Sequence, residues 1–236
     1  MALTLPVLES ELWFPPVNQA LTEPDGLLAF GGDLSLPRLQ LAYYSGIFPW
    51  FSRGDPLLWW SPSIRALFAP GQLQLNRTLN KQLRRDSLTF SINKAFQQVV
   101  LNCAAPRPAQ PDTWILPPMQ QAYYQLHQAG LAHSIEVWQQ QALIGGLYGV
   151  LVGGVFCGES MFYKKPNAAK FALVLLQQHL ASYAPGWIDC QMPNDFLMQM
   201  GATTLPREEY LSLLQQQRKL QPPTAHWQQQ TLQLSC

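Results

Sequence analysis

Leu143-Ile-Gly-Gly-Leu-Tyr-Gly-Val-Leu-Val-Gly-Gly-Val-Phe-Cys-Gly-Glu-Ser-Met-Phe-Tyr163 opens with the most apolar run of the chain, residues 143–158. Its β-branched and aromatic residues predict strands over 143–152 and 155–163. Gly153-Gly154 between them supplies the positive φ angles of a tight hairpin turn. The apolar run is too short for a membrane span and is broken by glycines, so no membrane anchor is expected. On the far side of the hairpin, Asn167 is expected to cap a helix whose Ala168, Phe171, Ala172, Leu175, Leu176 and Leu180 follow the spacing of one buried face. Gly186 follows its end. A strand over 187–192 stopped by Pro193, a helix from Asn194 to Gly201 and a last helix over 207–220 complete this half.

Upstream, the pattern predicts a helix over 77–85, a strand over 88–92, a helix over 93–102, a proline-rich loop over 106–111, a helix over 118–129 with Gly130 as its cap, and a strand over 133–138. Strands and helices in this order describe an α+β chain, a mixed sheet with helices packed on it. The first sixty or so residues are dense in proline, glycine and tryptophan, with helical character only over 36–45. The expected division is therefore a small loop-rich domain over 1–62 and a larger domain over 63–236, with a loosely ordered glutamine-rich tail from about 221.

Composition narrows the function. With 236 residues, 47% hydrophobic and 12% charged, the chain is long enough to bury a sizeable core. Its net charge of +1 excludes a protein that coats nucleic acid non-specifically, so any RNA contact must be local. The four cysteines, Cys103, Cys157, Cys190 and Cys236, form no C-x-x-C pair and have no histidines at zinc spacing. No metal site is expected, and the cysteines read as free thiols. Residues 1–16 lack the basic-then-apolar pattern of a secretory signal, which points to a cytoplasmic protein.

Three features carry candidate chemistry. Strand alternation over 187–192 sets Asp189 and Gln191 on one face, a carboxylate beside a carboxamide, with Ile188, Cys190 and Met192 on the other. The same alternation groups Glu159 with Cys157 and Met161, an acid among apolar neighbours. Each reading competes with a structural one, a polar pair at a strand end or a salt-bridged glutamate. Arg77, Lys81 and Arg85 stand four residues apart, so a helix lines them into one cationic stripe with Arg84 beside it, suited to a phosphate backbone. His127, His133, His179 and His226 have no nucleophile partner in a recognisable motif, and neither G-x-S-x-G nor a P-loop occurs.

Gly31-Gly-Asp-Leu, Gly46-Ile-Phe-Pro-Trp-Phe, Trp59-Trp-Ser-Pro, His133-Ser-Ile-Glu-Val-Trp, Phe156-Cys-Gly-Glu-Ser-Met-Phe and Ile188-Asp-Cys-Gln together resemble the leucyl/phenylalanyl-tRNA-protein transferases, over about residues 21–220. The resemblance implies a small amino-terminal domain and a larger acetyltransferase-like (GNAT) domain with a mixed, mainly antiparallel sheet. It implies a cytoplasmic, cofactor-free enzyme, expected to be a monomer. Such an enzyme takes leucine or phenylalanine from leucyl-tRNA or phenylalanyl-tRNA to a protein whose first residue is arginine or lysine, which enters the N-end rule route. By the same resemblance Asp189 and Gln191 are the catalytic pair and Glu159 the acid that helps hold the reacting amines. Trp50, Trp114, Phe156 and Met161 belong to the substrate cavity, and Arg77, Lys81, Arg84 and Arg85 to the tRNA-binding helix. Leu147, Met161, Leu176 and Leu180 are expected to line the apolar wall between hairpin and helix. Leu176, Leu180 and Tyr163 depart from the family pattern.

In the expected mechanism Asp189 polarises the Gln191 amide, whose carbonyl oxygen accepts a hydrogen bond from the attacking amine. Two rivals remain at this level: an acetyl-CoA-dependent N-acetyltransferase, disfavoured because the helix after the hairpin opens with Pro166-Asn-Ala-Ala rather than a glycine-rich pyrophosphate turn, and a non-catalytic RNA-binding module.

Overall fold

The computed structural model describes residues 5–106 and 113–234. The proline-rich loop expected over 106–111 lies almost wholly outside the described residues, as does Cys236. Two sheets organise the chain. The first, in the order β1-β2-β4-β3, uses Val7–Leu8, Leu27–Gly31, Leu58–Trp60 and Phe48–Pro49, with helix α1 (Leu36–Tyr44) before β3. The second has eight strands in the order β11-β5-β10-β9-β8-β7-β6-β12. Its strands are β5 (Ile64–Phe68), β6 (Leu88–Ile92), β7 (Ala132–Gln139), β8 (Ala142–Val152), β9 (Val155–Tyr163), β10 (Trp187–Asp189), β11 (Thr203–Pro206) and β12 (Gln230–Leu232). Helices α2 (Arg77–Arg85), α3 (Phe96–Ala104), α4 (Pro117–Gln128), α5 (Ala168–Ala181), α6 (Asp195–Gln199) and α7 (Arg207–Gln217) join them. Every pairing in this sheet is antiparallel except β9 with β10, whose connection runs through α5. This is the α+β architecture, a mainly antiparallel sheet with helices on both faces. No helix among the described residues is long and apolar enough to cross a membrane.

The hairpin closes as expected, with Val152 opposite Val155, although only Gly153 of the glycine pair takes a positive φ, +60°. Two apolar layers form on the two faces of the sheet. On one, α5 packs across β7, β8 and β9 and buries Phe171, Ala172, Leu175, Leu176 and Leu180. On the other, α3 and α4 and the aromatic first sheet pack together around Phe96, Tyr123, Tyr148 and Trp59. The aromatics of residues 46–60 therefore seal a core, with Trp59 fully buried, while Trp50 keeps an exposed edge.

Three expectations fail locally. Strand β10 stops at Asp189, not at residue 192, because the chain turns at Gln191, whose φ is +64°. Asn167 occupies the N-cap position of α5 but is itself left-handed (φ +68°) and does not cap with its side chain; its Nδ2 donates to Gln82 Oε1 of α2 at 2.8 Å. Asn76 and Asn194 do cap, accepting from the amides of Leu79 and Leu197. The tail is ordered through its described residues, to 234: Trp227 is buried against His133 and Phe156, and β12 adds an edge strand to β6. Trp227 supplies the apolar anchor that a glutamine count hides.

Candidate active site

β9 and β10 run parallel for three residue pairs, ending at Asp189 opposite Cys157, and then separate. Beyond that point Gly158 to Met161 on β9 and Cys190 to Asn194 in the turn after β10 border a cavity of about 380 Å³. Its floor is apolar, made by Leu147, Met161, Leu173 and Leu176, and Trp50 and Trp114 stand at its side. Trp50 is held in place by Trp60, whose ring meets it edge-on and whose Nε1 donates to its carbonyl oxygen at 2.6 Å.

A β-bulge presents the acid. The register of β8 with β9 shifts between Tyr148 and Gly149, so Glu159 is the extra residue on β9. Gly149 permits this: a Cβ on it would lie 2.2 Å from the Cys157 carbonyl oxygen. The bulge also reverses the strand's alternation, which is why Cys157 packs in one apolar layer and Met161 against the other instead of sharing a face. Glu159 accepts at Oε2 from the Tyr123 hydroxyl of α4 (2.5 Å) and at Oε1 from Gln191 Nε2 (2.9 Å). Tyr43 of α1 is 3.0 Å from the Tyr123 hydroxyl. Burial pushes the Glu159 carboxyl up to about 7, against the opposing pull of the Tyr123 and Tyr43 hydrogen bonds.

Asp189 corrects the expected pair. Its carboxylate is fully buried and does not border the cavity, and the Gln191 side-chain amide donates to Glu159 instead. Its two oxygens accept from Arg65 Nε (3.1 Å) and Nη2 (2.5 Å), from the Tyr210 hydroxyl (2.9 Å), and from the backbone N–H of Gln191 (2.9 Å). The physical reason is the turn: once Gln191 adopts a left-handed conformation, the two side chains no longer alternate as on a strand. Arg65 also donates to the Gly46 carbonyl and lies against the rings of Phe48 and Tyr210, tying strand, turn and α7 to the first sheet.

Two expected cavity residues lie elsewhere. Phe156 points to the α5 face of the sheet and stacks on Trp227, and Leu180 lies a helical turn beyond Leu176, buried in that same layer. Leu173, one turn before Leu176, takes the place on the wall. Arg77, Lys81, Arg84 and Arg85 are all exposed along α2, and only Arg85 has an ion-pair partner among the described residues, Asp86 at 2.6 Å.

Sequence reasoning missed Arg65, Tyr43, Tyr123 and Tyr210. An arginine inside the apolar strand Ile64–Phe68 is the one signal available, since a buried cation demands an acid; the tyrosines carried none. The acid of the His133–Trp138 motif is structural. Glu136 accepts from Ser91 and Ser134, both at 2.5 Å, and from the backbone amides of Lys94 and Ala95 just before α3.

A family model described as leucyl/phenylalanyl-tRNA protein transferase matches residues 67–215, and one for the N-terminal domain of the same family matches residues 32–63. The chain is 51% identical over 234 residues to the leucyl/phenylalanyl-tRNA–protein transferase of Tolumonas auensis, covering 99% of this chain and all of the relative. It is 56% identical over 205 residues to the enzyme of the same name from Shewanella piezotolerans, covering 87% of each. With its full length shared with such relatives, the chain belongs to the leucyl/phenylalanyl-tRNA protein transferase family.

Proposed function

We propose that this aminoacyltransferase moves leucine or phenylalanine, and to a lesser extent methionine, from its tRNA onto a protein beginning with arginine or lysine, forming a peptide bond and marking that protein for N-end rule degradation. The observation that carries the reading is the meeting of Glu159 and Gln191 at the edge of an apolar cavity. Aminolysis of an activated ester needs an amine aligned against a carbonyl and a way to remove its proton. Because Gln191 Nε2 donates to Glu159, the carbonyl oxygen of the same amide is the acceptor for the incoming α-amine. Asp189 is a positioning residue: it holds the backbone of the turn that aims Gln191. No cofactor enters this chemistry.

The acyl side chain rests on Leu147, Met161, Leu173 and Leu176, with Trp50 and Trp114 beside it. An apolar cavity separates side chains differing by one methylene by only about 1–3 kcal/mol, which allows the methionine transfer. The tRNA lies along Arg77, Lys81, Arg84 and Arg85. The acetyl-CoA rival gains no support, because the first turn of α5 is tied to α2 through Asn167 and Gln82 instead of standing open for a pyrophosphate. The two sheets correspond to domains over 1–62 and 63–236 in a monomeric cytoplasmic protein.

The test mixes the protein with radiolabelled leucyl-tRNA and a peptide beginning with arginine, beside the same peptide acetylated at its amino terminus. Label in the free peptide only is the expected result. Equal labelling of both, or of neither, overturns the reading.

A further inference from the structure

Among the residues bordering the cavity, Glu159 is the one carboxylate. Two donors reach it directly, the Gln191 amide from the turn after β10 and the Tyr123 hydroxyl from α4, and the Tyr43 hydroxyl from α1 stands 3.0 Å from that of Tyr123. The buried Arg65 guanidinium is engaged in its bidentate pair with Asp189. Glu159 therefore faces the cavity as an acid held by neutral donors, a few ångströms from the amide that receives the amine.

We infer that Glu159 is the proton acceptor of the transfer, and that Tyr123 and Tyr43 are positioning residues that hold its carboxylate for that task. This assignment rests on the aminoacyl-transfer reading above. In the step, the acceptor's neutral α-amine attacks the ester carbonyl carbon while Gln191 Oε1 holds one of its N–H groups. The N–C bond forms, and the proton lost from nitrogen goes to Glu159. The C–O bond to the ribose breaks, the same proton passes from Glu159 to the departing ribose oxygen, and the carboxylate is regenerated. Atoms and charge balance with no further reactant.

The groups that set the behaviour of Glu159 are known from each packed element. Burial and the charge of Asp189 on β10 favour the protonated acid, whereas Tyr123, Tyr43 and Arg65 on β5 favour the anion. Tyr148 on β8 and Cys157 on β9, buried next to it, are held neutral. Removing one tyrosine hydroxyl thus moves the acid's midpoint upward, whereas the acceptor peptide's own amine does not change.

The experiment is single-turnover transfer from leucyl-tRNA to an arginyl peptide between pH 5.5 and 9, on the intact protein and on Glu159→Gln, Tyr123→Phe and Tyr43→Phe, each checked by circular dichroism. The expected results are a fall of about 10²–10⁴-fold for Glu159→Gln, and, in both phenylalanine variants, a rising limb that shifts to higher pH with a lower plateau than the intact protein's. Near-normal turnover in folded Glu159→Gln, or a limb with the same midpoint in all folded tyrosine variants, overturns the assignment. An intact protein that labels no peptide overturns the parent reading instead. Should Glu159→Gln not fold, the limb positions in the two tyrosine variants decide alone.

Discussion

Removing the carboxylate of Asp189 leaves the Arg65 guanidinium buried beside Phe48 and Tyr210 with no counter-charge. Breaking a buried pair from one side costs about 3–5 kcal/mol. Asp189→Asn should therefore lower the urea midpoint sharply, and Asp189→Asn with Arg65→Gln should recover part of the loss. If Asp189 positions Gln191 through its backbone, turnover falls in the single variant with little change in KM, and the double variant stays slow because the aimed turn is not rebuilt. Glu159 carries a second prediction at this scale. Its folded-state midpoint, about 7, lies above the ordinary carboxylate value of 4.5. The stability linked to it is fully present below pH 4.5 and is lost as the pH rises through 7. Glu159→Gln should match the parent in thermal unfolding at pH 4.5 and gain on it as the pH rises to 8, then hold level. A constant difference across that range would show that burial does not perturb this acid.

The bulge on β9 is the element on which the site turns. Without the extra residue at 159, alternation would run unbroken, Met161 would stay on the Cys157 face, and the acid would not meet α4 and Gln191 together. Gly149 lies opposite, and Gly149→Ala would press a methyl group into the Cys157 backbone. The expected outcome is a folded protein with a lower melting temperature and transfer reduced by more than the lost stability explains, read from circular dichroism and single-turnover rates. Unchanged transfer would mean that the bulge is not needed to place Glu159. The same element shows where sequence reading stops. The hairpin over 143–163 and the buried face of α5 were legible because period and turn chemistry are local properties. The bulge and the left-handed Gln191 were not, since both depend on contacts made across the sheet. An ideal strand through 187–192 misplaced Asp189 for that reason alone. Glu159 and Gln191 were singled out by residue type and resemblance, whereas Tyr43 and Tyr123 lie 36–116 positions from Glu159 in the chain. The buried Trp227 likewise escaped a reading of composition.

At the scale of the whole molecule, charge is scarce and uneven. With 15 basic and 14 acidic residues the protein offers tRNA little general attraction. α2 concentrates Arg77, Lys81, Arg84 and Arg85 on an exposed surface with Asp86 as the one acid paired to them among the described residues. Gln82 of this helix also joins Asn167 at the start of α5, so the cationic surface is anchored to the layer that floors the cavity. Binding through such a patch is counterion release: each phosphate neutralised contributes about 0.7–0.9 to the slope of log K against log salt. Replacing Arg77, Lys81 and Arg84 together by alanine should weaken tRNA binding and flatten that slope by about 2 to 3. Transfer at saturating tRNA should survive, because none of the three borders the cavity. Filter binding from 50 to 300 mM salt, with transfer assayed in parallel, separates the two effects. A slope unchanged in the triple variant would move the tRNA contact off α2, and a collapse of saturated transfer would tie that helix to the chemistry.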